Sequence, residues 1–170
     1  MSTAFARPET AWNRALDIWR ELHVPEGWRP ELTAEGICMT PPPTGQHNLT
    51  ASSVHDALAS AELDGCGILQ TLGVGIRATG SIYVPDLCVV PRDAVPDNSD
   101  PVPAEKKKWA YAHGGIPQYL LIDAYDEDGP AVSLFTEPVQ GVSSRTVRVP
   151  FGQPVEVGDP FGIRLETTEF

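Results

Sequence analysis

The sequence predicts an α/β fold of the α+β kind, a mixed and twisted β-sheet flanked by helices. Three observations support this prediction. Two segments carry apolar residues at helical spacing, and several others are short, rich in β-branched and aliphatic residues and broken by glycine or proline. The elements follow one another as helix, strand, helix, strands, helix and strands, an order typical of helices packed around a mixed sheet.

Three helices are predicted. In the first, residues 9–22, one apolar stripe contains Trp12, Ala15, Leu16, Trp19 and Leu22. The second, residues 52–63, places Val54, Leu58 and Ala61 on one face and ends at the Asp-Gly pair that follows. The third, residues 105–113, is short and ends at a Gly-Gly pair that is typical of a helix C-cap.

The predicted strands alternate with turn residues. A short strand is expected at residues 36–39, and paired strands are expected at 68–78 and 82–90. Residues 118–125 form a strongly apolar, buried strand, and two more strands lie near 131–136 and 145–149. The remaining tail consists of short extended pieces broken by proline and glycine.

The composition limits the kind of protein. A chain of 170 residues fits a single domain, 1–170, in which an N-terminal helical segment, 1–24, precedes a core at 25–170. No stretch reaches the roughly 18 uninterrupted apolar residues of a membrane span, and the N-terminus lacks the pattern of a secretory signal. The three cysteines suggest neither a disulfide framework nor a metal-binding pair, so we expect a reduced, cytoplasmic protein.

The net charge of −11 disfavours broad, non-specific binding to nucleic acid, because such binding normally requires a basic face. It still allows an enzyme that handles DNA locally through a small basic patch and metal ions.

The dipeptide Pro85-Asp86 lies within the predicted strand at residues 82–90. Pro85 removes a backbone donor, which places the strand at an edge or at a bulge. A carboxylate in an apolar strand destabilises the fold unless it reaches solvent, a partner or a metal. Asp86 is therefore either an exposed side chain on an edge strand or a ligand for Mg²⁺, which prefers carboxylate oxygens and water.

Lys107 is a candidate in the predicted third helix. It lies one turn before Tyr111 on the same helix face. A lysine there can stabilise the charge that develops on a phosphate or orient an attacking water. The alternative is that the three successive lysines of this segment form a solvated basic surface.

Glu31 and His47 are two further candidates. Glu31 precedes a short predicted strand, and His47 follows a Pro-rich turn that leads towards the second helix. Taken singly, Glu31 is better explained as a surface residue, and His47 as one that caps or packs beside a helix start.

Together and in this order, these segments resemble the Uma-type family of predicted restriction endonucleases (the "Uma-two" domain family), a branch of the PD-(D/E)xK nuclease superfamily. The matching stretches are PELTAEG, PPPTGQH, VPDLCVVP and KKWAYAHGGIPQYLLID, with a weaker match in the tail DPFGIRLETTEF. The similarity covers most of the chain after about residue 25. Its most specific part is GIPQYLLID, which follows the spacing Lys-x-x-x-Tyr-Ala.

The resemblance implies a restriction-endonuclease-like fold and hydrolysis of DNA phosphodiester bonds with Mg²⁺ or Mn²⁺. It implies that Asp86 and Glu31 are catalytic, metal-binding carboxylates, that Lys107 is the catalytic lysine and that His47 is an accessory residue. In such enzymes carboxylates hold the metal, the metal activates water and the lysine supports the transition state. The implied partner is DNA rather than a membrane, and the assembly, monomer or homodimer, stays open.

The chain departs from the family pattern at one point. Between VVPRDAV and EKKKWAYA it has only PDNSDPVPA, where the family has a further strand with the glutamate of "E-V-x-S" and then an Asp-Arg pair. We therefore expect one central strand to be absent between about residues 95 and 105; Glu105 lies nearby, but nothing in the spacing requires it to replace the glutamate. Three alternatives stay open: an active endonuclease, an inactive remnant that acts as a binding or interaction protein, and a small acidic β-rich ligand-binding domain unrelated to nucleases.

Overall fold

The computed structural model describes residues 8–33, 35–77, 79–98, 100–103, 117–140 and 142–170. The helices in these ranges are α1 (Pro8–Glu21) and α2 (Gly45–Ala59). The strands are β1 (Arg29–Thr33), β2 (Gly36–Thr40), β3 (Cys66–Gln70), β4 (Val74–Ile76), β5 (Ser81–Tyr83), β6 (Leu87–Pro91), β7 (Val102–Pro103), β8 (Gln118–Asp123), β9 (Ala131–Val139), β10 (Val142–Pro150), β11 (Val155–Val157) and β12 (Ile163–Leu165). The predicted third helix, residues 105–113, lies outside the described residues.

The strands form one larger sheet and three smaller ones. The five-stranded sheet has the order β2-β1-β5-β4-β7, in which β4 and β7 are parallel and the other neighbours are antiparallel. The antiparallel three-stranded sheet has the order β10-β9-β8. Two further pairs join β3 to β6 and β11 to β12. In the described ranges, one mixed sheet and three antiparallel sheets occur together with two α-helices, which is the α+β class that the sequence predicts.

Helix α1 packs on the five-stranded sheet. Its residues Trp12 and Ala15 are buried together with Leu32 of β1 and Ile82 of β5. The partly buried residues against this cluster are Leu16, Ile18, Trp19 and Leu22. The predicted apolar stripe of the first helix is thus confirmed, and burial of each large apolar side chain stabilises the fold by roughly 1.5–3 kcal/mol.

Helix α2 packs on a second hydrophobic cluster. Its Val54 is buried there and its Leu58 packs against the cluster, as the sequence predicts. Ala61 also packs against the cluster, but it lies beyond the helix, which ends at Ala59 and not at residue 63. The other buried members come from β9, β11 and β12: Val132, Leu134, Val155, Val157, Ile163 and Leu165. The helix begins at Gly45 and not at residue 52, because the Thr44 side chain accepts a hydrogen bond from the His47 N–H and caps an earlier first turn.

The segment from β3 to β6 differs from the two long strands expected. Strands β4 and β5 pair with each other, and β3 and β6 pair outside them, so the segment is a nested pair of hairpins. The first break follows β3, where Thr71 has a φ of 54°, and the second contains Pro85. Asp86 therefore does not project from within a continuous strand: the structure places it in the link between β5 and β6.

Strand β7 has only two residues and lies between residues 95 and 105, the interval in which the family pattern has a longer strand. It extends the five-stranded sheet by pairing with Val74 and Gly75 of β4. Neither helix in the described part of the chain is long and apolar enough to cross a membrane.

Candidate functional site

The candidate site is centred on Asp86, immediately before β6. Pro85 has a fixed φ and no N–H, so the backbone leaves the sheet after β5 and re-enters a ladder only at Leu87. The Asp86 side chain keeps 44% of its surface exposed, so the carboxylate is within reach of a ligand from solvent.

Arg29 forms an ion pair with Asp86. It is the first residue of β1, and its Nη1 donates to Oδ1 of Asp86. Only 16% of the Arg29 side chain is exposed. Within the described residues, its Nε is buried and has no hydrogen-bond partner. A guanidinium this buried requires a counterion, and here the carboxylate of Asp86 supplies it.

His47 contacts the same carboxylate oxygen from the first turn of α2. Its Nε2 lies 3.0 Å from Oδ1 of Asp86. Burial raises the pKa of Asp86, but the hydrogen bonds from Arg29 and His47 outweigh burial and hold that pKa below its ordinary value. Asp86 is therefore an anion at neutral pH.

Glu31 lies two residues after Arg29 on β1, so the two side chains share one face of the strand. Oε1 of Glu31 accepts a hydrogen bond of 3.0 Å from the backbone N–H of Val84. Because Val84 is two residues before Asp86, this bond ties the Glu31 carboxylate to the link that carries Asp86.

Tyr119 of β8 is a partly buried residue on which both carboxylates act electrostatically. Burial raises the pKa of its hydroxyl, and the negative charges of Asp86 and Glu31 raise it further, which places both carboxylates within electrostatic reach of this hydroxyl. The Tyr119 ring stacks on Phe135, with centroids 5.7 Å apart, and this contact orients the hydroxyl.

The structure thus brings together three of the predicted residues: Asp86, Glu31 and His47. The fourth, Lys107, lies outside the described residues. Arg29 and Tyr119 were not singled out from the sequence. The one available signal for Arg29 was its spacing of two from Glu31, which puts both on one face of a strand; Tyr119 was visible only as a strand residue.

The oxygen ligands at the site are of the kind that Mg²⁺ prefers. The described residues contain no group of three or more His, Cys, Asp or Glu side chains that could hold a metal ion. Asp86 and Glu31 do supply two hard carboxylates, and Mg²⁺ in proteins is often held by one or two carboxylates with water and substrate phosphates completing its shell. Two carboxylates therefore fit a divalent cation whose remaining ligands are water and the substrate.

Comparison with known proteins bears on the fold. No protein-family model matches the chain, and no curated protein matches it. A solved structure from Anabaena variabilis, described as "a putative nuclease belonging to DUF820", superposes with a TM-score of 0.62 and 20% identity. The match covers 91% of this chain and 95% of that chain. The chain therefore has the fold of that protein, which confirms the predicted α+β class and agrees with a restriction-endonuclease-like fold.

Proposed function

We propose that the chain is a Mg²⁺- or Mn²⁺-dependent endonuclease that hydrolyses DNA phosphodiester bonds. The observation that carries the proposal is that Glu31 accepts a hydrogen bond from the backbone N–H of Val84, two residues before Asp86, whose side chain is 44% exposed. The fold is shared with a protein described as "a putative nuclease". Asp86 and Glu31 are also the residues that the resemblance to the Uma-type family assigns to the metal.

Each residue has a distinct role in this proposal. Asp86 and Glu31 hold the cation, which supplies a water of lowered pKa and polarises the phosphate when bound. His47 fixes the orientation of the Asp86 carboxylate through its contact with Oδ1. Lys107 supports the negative charge that develops on the phosphate. The hydroxyl of Tyr119, whose pKa is raised by burial and by the charges of both carboxylates, donates to a phosphate oxygen in this proposal.

A second candidate function is that of a non-catalytic relative that keeps the fold and binds a partner. The ion pair between Arg29 and Asp86 favours it, because a guanidinium takes the carboxylate oxygen that a cation would use. The net charge of −11 and the segment that departs from the family pattern point in the same direction.

The test is cleavage of supercoiled plasmid and of single-stranded DNA with added Mn²⁺. We compare the wild type with Asp86→Ala and with Asp126→Ala, a matched control whose carboxylate pairs with Arg148 in an exposed turn. Replacement of a residue that hydrogen-bonds to a metal ligand lowers activity by about 10–100-fold. Replacement of the metal ligand Asp86 itself should therefore lower cleavage by at least about 100-fold. Asp126→Ala should cleave like the wild type.

Two outcomes would contradict the endonuclease proposal. Equal cleavage by the wild type and Asp86→Ala would show that the activity does not depend on this site. No cleavage by the wild type, together with no Mn²⁺-induced rise in its melting temperature, would favour the non-catalytic alternative, because a cation that binds only the folded chain must stabilise it.

A further inference from the structure

Arg29 is largely buried at the site, with 16% of its side chain exposed, and within the described residues its counterion is Asp86. Its Nη1 donates to Asp86, whereas its Nε is buried and makes no hydrogen bond there. A buried guanidinium with an incomplete set of partners is costly, and the ion pair with Asp86 offsets that cost. The position of Arg29 is therefore coupled to the state of the Asp86 carboxylate.

Oδ1 of Asp86 accepts a hydrogen bond from Nη1 of Arg29 and has Nε2 of His47 3.0 Å away. A carboxylate oxygen has two lone pairs, and these two nitrogens lie where further ligands of Oδ1 would bind. A Mg²⁺ ion binds a carboxylate oxygen at about 2.0–2.1 Å, much closer than a guanidinium nitrogen does. It can therefore bind Oδ1 only after one of the two nitrogens has moved away, and at Oδ2 of the same carboxylate it would still lie close to the guanidinium charge.

Charge decides which donor opposes the cation more strongly. A guanidinium carries a fixed positive charge, and like charges at close range in a partly buried site repel each other strongly. His47 is the more exposed of the two, with 41% of its side chain in contact with solvent against 16% for Arg29. The obstacle to cation binding is thus the guanidinium.

We propose that Arg29 and a divalent cation are alternative counterions of Asp86, so that Arg29 sets the affinity of this site for metal. The inference rests on the proposed function in one respect, that Asp86 is the residue to which a cation binds. It makes Arg29 a positioning residue: without the cation it holds the carboxylate in place, and with the cation it must give up its contact with Oδ1.

The experiment is a calorimetric titration of the full chain with Mn²⁺ alone. Arg29→Gln removes the charge and should lower the Kd for Mn²⁺ by at least about tenfold. Arg148→Gln is the matched control, because it removes an arginine from an ion pair with Asp126 outside the site, and its Kd should equal that of the wild type. Asp86→Asn should abolish binding, and the double variant Arg29→Gln/Asp86→Asn should bind as poorly as Asp86→Asn does.

The proposal is overturned if Arg29→Gln binds Mn²⁺ no more tightly than the wild type, or if neither protein binds it. It is also overturned if the tighter binding survives in the double variant, since the cation would then lie elsewhere. Circular dichroism checks that each variant folds. If Arg29→Gln does not fold, Arg29→Met replaces it, because methionine keeps the volume of the apolar part of the side chain. The Kd of Arg29→Met for Mn²⁺ should then be lower than that of the wild type.

A cleavage assay with the same variants separates this inference from the proposed function. If Arg29→Gln binds Mn²⁺ more tightly and no variant cleaves DNA, the endonuclease proposal is refuted, whereas the proposal that Arg29 competes with the cation stands. If cleavage depends on Asp86 and the Kd of Arg29→Gln is unchanged, the competition proposal is refuted, whereas the endonuclease proposal stands.

Discussion

Replacement of Gly75 by alanine should destabilise the protein by about 3 kcal/mol, because the tip of the Trp12 indole occupies the space of the new methyl group. A Cβ built on Gly75 lies 2.2 Å from Cη2 of Trp12 and 2.8 Å from Cζ3. Carbon atoms in contact prefer a separation of about 3.5–4.0 Å, so the strand or the indole must shift by more than about 1 Å.

The surroundings of Trp12 leave little room for that shift. The side chain is only 5% exposed and packs with Leu32 and Ile82, which are buried as well. Overpacking of a buried site costs about 1–3 kcal/mol, and a rigid aromatic ring in a filled cluster places the cost at the upper end. For a chain of this length, 1 kcal/mol corresponds to about 2–4 °C in Tm, so Gly75→Ala should lower Tm by about 6–12 °C.

Thermal melts monitored by circular dichroism provide the measurement. Gly158→Ala is the matched control, since a Cβ there meets no atom within 4 Å and its φ is not in the left-handed region; it should change stability by less than about 1 kcal/mol. In a Trp12→Leu background the cost of Gly75→Ala should largely disappear, because the obstructing ring is gone. A Tm for Gly75→Ala within 2 °C of the wild type, or an equal loss in both backgrounds, would refute the reasoning.

Two further predictions concern other buried groups. Burial raises the pKa of the Cys88 thiol to about 11, so it stays protonated at pH 8; iodoacetamide should alkylate the exposed Cys38 at least about tenfold faster, and equal labelling of the two peptides in mass spectra would contradict this. The fully buried Thr167 donates to the Gln153 carbonyl and accepts from the Gly152 N–H, both at 2.8 Å. Thr167→Val should lower the free energy of unfolding in urea by about 1–3 kcal/mol, and Thr167→Ser, which keeps both bonds, by less; an equally stable valine variant would refute the role of the hydroxyl.

The sequence predicted correctly those helices in which buried apolar side chains recur at helical spacing. The stripe from Trp12 to Leu22 located α1, because those side chains are the ones that meet the sheet. The start of α2 was wrong because Gln46, His47 and Asn48 contribute no apolar face, and their helical conformation depends on the cap from Thr44. The nested pairing of β3 with β6 was also missed, since which strand pairs with which is decided by contacts between distant segments.

The same limit applies to the candidate site. Asp86 and Glu31 became joint candidates only through the order of motifs in the whole chain, because nothing in the local sequence of either residue requires a metal. The contact between Arg29 and Asp86 joins residues 57 positions apart and follows from the position of β1 beside β5. The role of Lys107 stays a prediction, as does the choice between monomer and homodimer.

The site draws its groups from both hydrophobic clusters, and this has a consequence for how the protein moves. Arg29 and Glu31 belong to β1, which packs beneath α1, whereas His47 and Tyr119 belong to α2 and β8, which pack on the other cluster. Any small rotation of one cluster against the other must stretch the contacts that meet at Asp86. A ligand that bridges Asp86 and Glu31 would therefore restrain the motion of the two clusters relative to each other. On ligand binding, amide hydrogen exchange should slow in both β1 and α2, including at residues that the ligand does not contact.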